Sequence, residues 1–204
     1  ILAFSILSFS TNAETRFGDM TEMRDERMRG KDGKWVRPHP GPFIWNGIEK
    51  EQGVFSWEET DKYVAYAQKH NQKTLATIWP HANWEQKSCK RRKASSPFGR
   101  KFTKYLSKPC SMDNYKIFLT KLVDRYDGDG KNDMPGLTKP IKHWQIMNEP
   151  EYKMFFSGKR EDFVEIFNFS SELIKSKQKD SVIVMAGAAG MFPENKSWWR
   201  STLP

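Results

Sequence analysis

The residues of this sequence best suited to chemistry are Asn148 and Glu149, inside residues 140–151, which read Pro-Ile-Lys-His-Trp-Gln-Ile-Met-Asn-Glu-Pro-Glu. A carboxyl group whose pKa is raised by burial can donate a proton to a departing oxygen, and an amide beside it can hold a sugar hydroxyl. The flanking residues alternate: Ile141, His143, Gln145 and Met147 fall on one side of an extended chain, and Lys142, Trp144, Ile146 and Asn148 on the other. Trp144, Ile141 and Ile146 suit a pleated surface, and Pro150 stops the ladder because it has no N–H to give. The segment therefore reads as a strand that ends in an amide, a carboxyl group and a break.

Other strand ends carry polar and aromatic groups. Trp35-Val36-Arg37 is a short strand stopped by Pro38, and the proline-rich loop after it holds His39. Residues 74–79 form a strand halted by Pro80, whose end offers Trp79, His81 and Trp84. The run Asp127-Gly128-Asp129-Gly130-Lys131-Asn132-Asp133 has the alternating carboxylates and glycines with which calcium loops begin, so Asp127, Asp129 and Asp133 are candidate calcium ligands. Position twelve counted from Asp127 is Thr138 where an EF-hand has glutamate, so a solvated acidic turn competes with that reading and no metal site is assigned.

These groups must be placed by the elements between them. Capping-box spacing at Asp19 and Glu22 gives residues 17–29 a weak helical pattern, and the same spacing at Ser56 and Glu59 opens a helix over 57–70 that turns Thr60, Tyr63, Val64 and Ala67 inward. Residues 83–109 read as a long loop. Ser111 caps a helix over 113–126 with Tyr115, Phe118, Leu119, Leu122, Val123 and Tyr126 on one stripe, and 161–177 forms another with Phe163, Ile166, Phe167, Ser170 and Ile174. Residues 181–186 are a continuous apolar strand of the kind buried on both faces. Strands alternating with amphipathic helices imply a parallel sheet, and no glycine-rich phosphate motif follows any strand. A barrel leads, with an open doubly wound sheet behind it.

Arg37-Pro38-His39, then Trp45-Asn46-Gly47-Ile48-Glu49 to Gly53-Val54-Phe55-Ser56-Trp57 with Asp61, and then Asn148-Glu149-Pro150 occur in that order. Over residues 35–190 the chain thereby resembles the (β/α)8-barrel glycoside hydrolases of clan A, which include cellulase-like, mannanase-like and β-galactosidase-like families. The resemblance implies an α/β fold, a partial TIM barrel of roughly five βα units that stops before the seventh strand. It also implies a glycosidase that cleaves O-glycosidic bonds with retention. Glu149 is then the general acid/base, Asn148 holds the sugar 2-hydroxyl, Arg37 lies near the nucleophile, and Trp79, His81, Trp84 and His39 line subsites. Retention needs a second carboxylate about 5 Å from the first. The family takes it from the seventh strand, absent here; Glu151 is too close along the turn to Glu149, and Glu194 follows the fifth strand. A non-catalytic carbohydrate-binding relative is the alternative.

Composition sets the remaining bounds. With 37% hydrophobic and 29% charged residues the chain is globular, and its 204 residues fall short of the about 250 of a complete barrel. The net charge of +9, with one dense run at Lys90-Arg91-Arg92-Lys93, reads as a solvated basic surface with no nucleic-acid partner. Residues 1–13 resemble the remnant of a signal peptide, too short to span a bilayer, ahead of a barrel portion over 14–204, with a buried first strand as the alternative. That points to a secreted or periplasmic protein, in which Cys89 and Cys110 would pair as a disulfide; two buried thiols are the reading if it is not exported. Oligomeric state is not encoded in any feature of the sequence.

Overall fold

In a computed structural model, residues 18–21, 35–91, 93, 103–188 and 198 are described. The expectations for residues 1–13 and for Glu194 fall outside them. Five strands form one parallel sheet: β1 (Gly18–Thr21), β2 (Trp35–Pro38), β5 (Lys73–Ile78), β6 (His143–Ile146) and β7 (Val182–Met185). Strands β3 (Glu49–Glu51) and β4 (Val54–Phe55) make a separate antiparallel hairpin after the short helix α1 (Trp45–Ile48). Three helices bridge the sheet: α2 (Glu58–Lys69), α4 (Met112–Tyr126) and α5 (Arg160–Lys177), with a short α3 (Asn83–Ser88) after β5.

The spatial order of the parallel strands is their chain order, β1-β2-β5-β6-β7, without reversal. A doubly wound sheet reverses its order at a switch point so that helices cover both faces. Among the described residues the strand order advances in one direction, and right-handed connections then put α2, α4 and α5 on one side. Burial agrees. Val36, Ala76, Ile78, Trp144 and Ile146 on one face pack with Tyr63, Val64 and Ala67 of α2, Phe118 and Leu122 of α4, and Phe163 and Ile166 of α5. The opposite face carries Trp35 and Arg37, Leu75 and Thr77, His143 and Gln145, and Val184. Trp35, Arg37, Leu75, His143 and Val184 on it are half-buried. The rings of Trp35 and His143, on the two strands flanking β5, meet at 4.4 Å across that face. The fold is therefore singly wound and curls toward that face, as a segment of a barrel does around its lumen.

Local sequence explains most of the elements. Ser111 Oγ accepts from the Asn114 N–H and starts α4, whose whole apolar stripe is buried. On α2, Thr60, Tyr63, Val64 and Ala67 face the core, but the N-cap is Trp57 with no side-chain cap; the Ser56 N–H instead donates to Ile48 O at 2.7 Å, tying the turn to the hairpin. Asp61 of α2 accepts from Arg125 Nε at 2.9 Å, Arg125 Nη2 at 2.5 Å and Tyr126 Oη at 2.7 Å, while the guanidinium lies over Trp57. Buried Glu49 takes Trp45 Nε1 at 2.6 Å and the Gly53 N–H at 2.7 Å. The Trp45-to-Asp61 motif is thus scaffold that locks a hairpin and clamps α2 to α4.

Three expectations need correction. Residues 18–21 are a strand and not helix, because they pair in register with Trp35–Pro38 and edge pairing outweighs a weak capping pattern. The long loop begins with helix α3, whose Asn83, Glu85 and Gln86 hold the segment 103–111 by their side chains. Strand β7 is not buried on both faces: Val182 is 45% and Met185 41% exposed, since among the described residues β7 pairs only with β6.

Cys89 and Cys110 are joined by a disulfide with Cα atoms 5.9 Å apart and a sequence separation of 21. In the chain-entropy picture a loop of that length is worth about 3 kcal/mol. The Cys89→Ala/Cys110→Ala double variant is expected to melt about 6–12 °C lower than the parent in a calorimetric scan, by the size scaling for a chain of this length. An unchanged melting temperature would mean the side-chain anchors on α3 already fix the loop.

Candidate active site

Arg37 leaves the C-terminal end of β2, and Gln145, Asn148 and Glu149 leave that of β6, two strands away across β5. Arg37 Nη2 donates to Asn148 Oδ1 at 2.6 Å, and Nε donates to Gln145 Oε1 at 2.9 Å. Gln145 Nε2 donates to Met147 O at 2.7 Å and lies 3.4 Å from Asn148 Oδ1. One planar guanidinium therefore fixes two amides at once. Burial lowers the Arg37 pKa, and the negative charge of Glu149 partly offsets this.

The backbone explains how these groups meet. Met147 has φ 61° and Glu149 φ 43°, in the left-handed region that non-glycine residues occupy at a cost of about 1–3 kcal/mol. The first kink breaks strand alternation, so Asn148, which a regular strand would send to the opposite side from Gln145, turns toward it. The Met147 N–H donates to Ile78 O at 3.0 Å and the Glu149 N–H to Gly187 O at 2.9 Å, so neighbouring strands pin both kinked residues. Strain held in this way at one peptide is a mark of sites where side-chain aim matters more than local stability.

Around this centre, Trp79 is 4% exposed, with Nε1 donating to Pro40 O at 2.7 Å and its ring against Phe155 and His39. His39 is half-buried in that aromatic cluster. His81 is fully buried, with Nδ1 3.1 Å from Ser107 O; burial pulls its pKa down to about 4, and the carbonyls of Ser107 and Phe155 act weakly the other way. Trp84 donates from Nε1 to Glu49 O at 2.9 Å and packs edge-on against Trp45. Trp79 and His81 are thus buried against protein partners, while Trp84 is half-buried. Glu151 is buried at 8% exposure.

Asp127, Asp129 and Asp133 do come together, with carboxylate oxygens within 4.8 Å of one another. Their oxygens accept backbone N–H groups of the same turn: Asp133 from Gly128 and Gly130, Asp127 from Asp129, Asp129 from Lys131. The turn joins α4 to β6, at the rim opposite Glu149, and takes no part in that site. Among the described residues no helix is long and apolar enough to cross a membrane.

Sequence reasoning missed Gln145, which holds Arg37 and Asn148 in register. The available signal was a buried-side amide three residues before Asn148; what hid it was the left-handed turn at Met147.

A singly wound parallel sheet with an amide–carboxyl pair and an arginine at its C-terminal rim is the arrangement of a (β/α)8-barrel site. No protein-family model matches the sequence, and no curated protein does. Solved structures are similar. A GH39 enzyme from Xanthomonas axonopodis pv. citri aligns at TM-score 0.56 and 13% identity, over 84% of this chain and 33% of that one. A glucosidase from Croceicoccus marinus aligns at 0.55 and 15%, over 81% and 34%. A β-galactosidase from Bacillus circulans sp. alkalophilus aligns at 0.55 and 14%, over 86% and 35%. The fold is part of the barrel found in glycoside hydrolases, and the chain spans about a third of the length of these relatives.

Proposed function

We propose that this chain is the part of a retaining glycoside hydrolase of clan A that carries the acid/base, with Glu149 in that role. The observation that carries the reading is the Arg37–Gln145–Asn148 lattice with Glu149 beside it, at the strand ends where such barrels do chemistry. Because Arg37 occupies Asn148 Oδ1, the amide N–H groups of Asn148 are the ones left to donate to a sugar oxygen. Arg37 fixes that orientation and supplies positive charge to a carboxylate in the cleft. Glu149 protonates the glycosidic oxygen as the second carboxylate attacks the anomeric carbon, then deprotonates the water that releases the sugar. That second carboxylate is not among the described residues placed at this rim, and in this reading it comes from a later strand. No metal or cofactor enters this mechanism, and calcium at Asp127, Asp129 and Asp133 would serve the fold only. The substrate is a carbohydrate, and the protein is exported, in keeping with its disulfide.

The test is turnover of a panel of aryl glycosides and polysaccharides by this chain and by any longer product of its reading frame, with the first-formed anomer followed by NMR. Retained configuration is expected. Inversion would exclude double displacement, and sugar binding without turnover in the longest product would leave a carbohydrate-binding relative of the same fold.

A further inference from the structure

The distribution of charge along the chain adds a substrate class. Of the 34 Lys and Arg, nine fall within residues 86–112 (Lys87, Lys90, Arg91, Arg92, Lys93, Arg100, Lys101, Lys104 and Lys108), and none of the 25 Asp and Glu does. Removing those nine leaves 25 basic against 25 acidic residues, so this one segment holds the whole net charge of +9 and the rest of the chain is balanced. The dense run at Lys90-Arg91-Arg92-Lys93 is thus the centre of a longer segment free of acidic residues. A surface kept soluble by charge mixes both signs; this segment does not.

Its place in the fold is equally specific. The segment connects the C-terminal end of β5 to α4, so it rises from the rim that bears Arg37 and Glu149, beside β6. Lys87, Lys90, Arg91, Lys93 and Lys104 are exposed. The backbone beneath them is fastened at several points. Asn83 Oδ1 accepts the Lys104 N–H at 2.7 Å, and Gln86 pairs with both backbone groups of Ser107, at 2.5 and 3.0 Å. Glu85 accepts the Ser111 N–H at 2.6 Å, and the disulfide closes the base. The same strap touches the turn that follows Glu149, where the Ser157 N–H donates to Leu106 O at 2.8 Å, and helix α5, where Lys108 pairs with Glu165. Cations held on an anchored lip lose less entropy on meeting a ligand than cations on a free tail.

We infer that the glycan handled at this rim is acidic, bearing carboxylate or sulfate groups that the exposed cations Lys87, Lys90, Arg91, Lys93 and Lys104 engage. This rests on the glycosidase reading for its choice of carbohydrate. A nucleic acid is the less favoured polyanion, because the basic footprint is confined to one lip beside the cleft while the remaining surface is neutral in sum, and a duplex needs a stripe of positive charge along its backbone.

The experiment measures binding of the protein to polygalacturonate (carboxylated), heparin (sulfated), a neutral xylan, duplex DNA and anionic phospholipid vesicles at 50 and 200 mM salt. Binding to at least one acidic glycan is expected to exceed binding to neutral xylan by at least about tenfold at low salt, and to weaken by about tenfold or more across that salt range as counterions compete. Which acidic glycan binds identifies the anion. The variant carrying Lys87→Gln, Lys90→Gln, Arg91→Gln and Lys104→Gln changes exposed side chains only, and should lose about tenfold in affinity and most of the salt slope. Equal binding of xylan, salt-independent binding, unchanged binding by the variant, or DNA or vesicles bound as tightly as the acidic glycans would each overturn the inference. Turnover and glycan binding, read separately, distinguish the two readings. If turnover proves independent of Glu149 while acidic-glycan binding persists, the catalytic assignment fails and the lip stands; if turnover needs Glu149 but neutral glycans are bound equally well, the lip fails alone.

Discussion

The Glu149→Gln variant of the catalytically complete protein is expected to lose about 10³-fold or more in kcat on a substrate with a poor leaving group, a glycan or alkyl glycoside. Glutamine keeps the shape of the side chain but carries no transferable proton, and general acid–base assistance is worth about 10²–10⁴-fold per proton-transfer step. In double displacement the group serves twice, so the loss depends on substrate in a way that a folding defect would not. An aryl glycoside whose leaving group is already a weak base needs no protonation to depart. Its first step should be nearly spared while hydrolysis of the glycosyl-enzyme slows, giving a burst followed by slow turnover and a lowered KM. Equal losses on both substrate types, without a burst, would show that Glu149 is not the proton donor. The substitution should leave the fold intact, because the Glu149 backbone is held through its N–H to Gly187 O and the side chain is only half-buried.

The reach of the sequence in this protein follows from what periodicity can encode. Helices α4 and α5 were legible because Tyr115, Phe118, Leu119, Leu122 and Val123, or Phe163, Ile166, Ser170 and Ile174, repeat at helical spacing and every one of them is buried. The carboxyl group at a strand end was legible because Pro150 announces where β6 must stop. The local chemistry of the site was not. Asn148 and Gln145 have opposite parity in an extended chain, and only the left-handed turn at Met147 brings them onto one guanidinium. No residue type at 147 signals such a turn, since methionine is held there by the Ile78 carbonyl on the neighbouring strand. The burial of the aromatic rim was not legible for a related reason. Trp79 sits at a strand end, and Phe155, 76 residues further along, packs against its ring. Long-range coverage of that kind leaves no trace in local spacing. Choosing barrel over doubly wound sheet likewise needed the strand order, which alternation of elements leaves open.

Lowering the pH should unlock the strap behind this rim, and His81 is the group that makes it do so. Its folded pKa is about 4, first because burial disfavours the imidazolium and only secondarily opposed by the Ser107 and Phe155 carbonyls, against about 6.5 for an exposed histidine. A histidine with a depressed folded pKa is neutral in both states above pH 6.5 and contributes no pH dependence there. Below 6.5 the unfolded chain binds a proton that the folded chain refuses, so stability falls as pH falls until the folded imidazole also titrates near pH 4, a total of about 3 kcal/mol at 1.36 kcal/mol per pH unit. Glu85, four residues on and within α3, works in the opposite sense: burial raises its pKa, so its contribution to stability is fully present at low pH and is lost as pH rises through the folded value. The two are separated by comparison with His81→Asn, whose side-chain amide can still donate toward Ser107 O but does not titrate. Urea unfolding of both proteins between pH 7.5 and 4 should show the variant's curve flatter by about 3 kcal/mol over that range; parallel curves would mean that His81 is not buried neutral. Because Ser107 is also gripped by Gln86 and bonded to Ser157, in the turn after Glu149, protonation of His81 acts on the segment that backs Glu149. Loss of sugar binding at the rim in the same pH window, restored on return to neutral pH and displaced in His81→Asn, is the functional counterpart of that stability change.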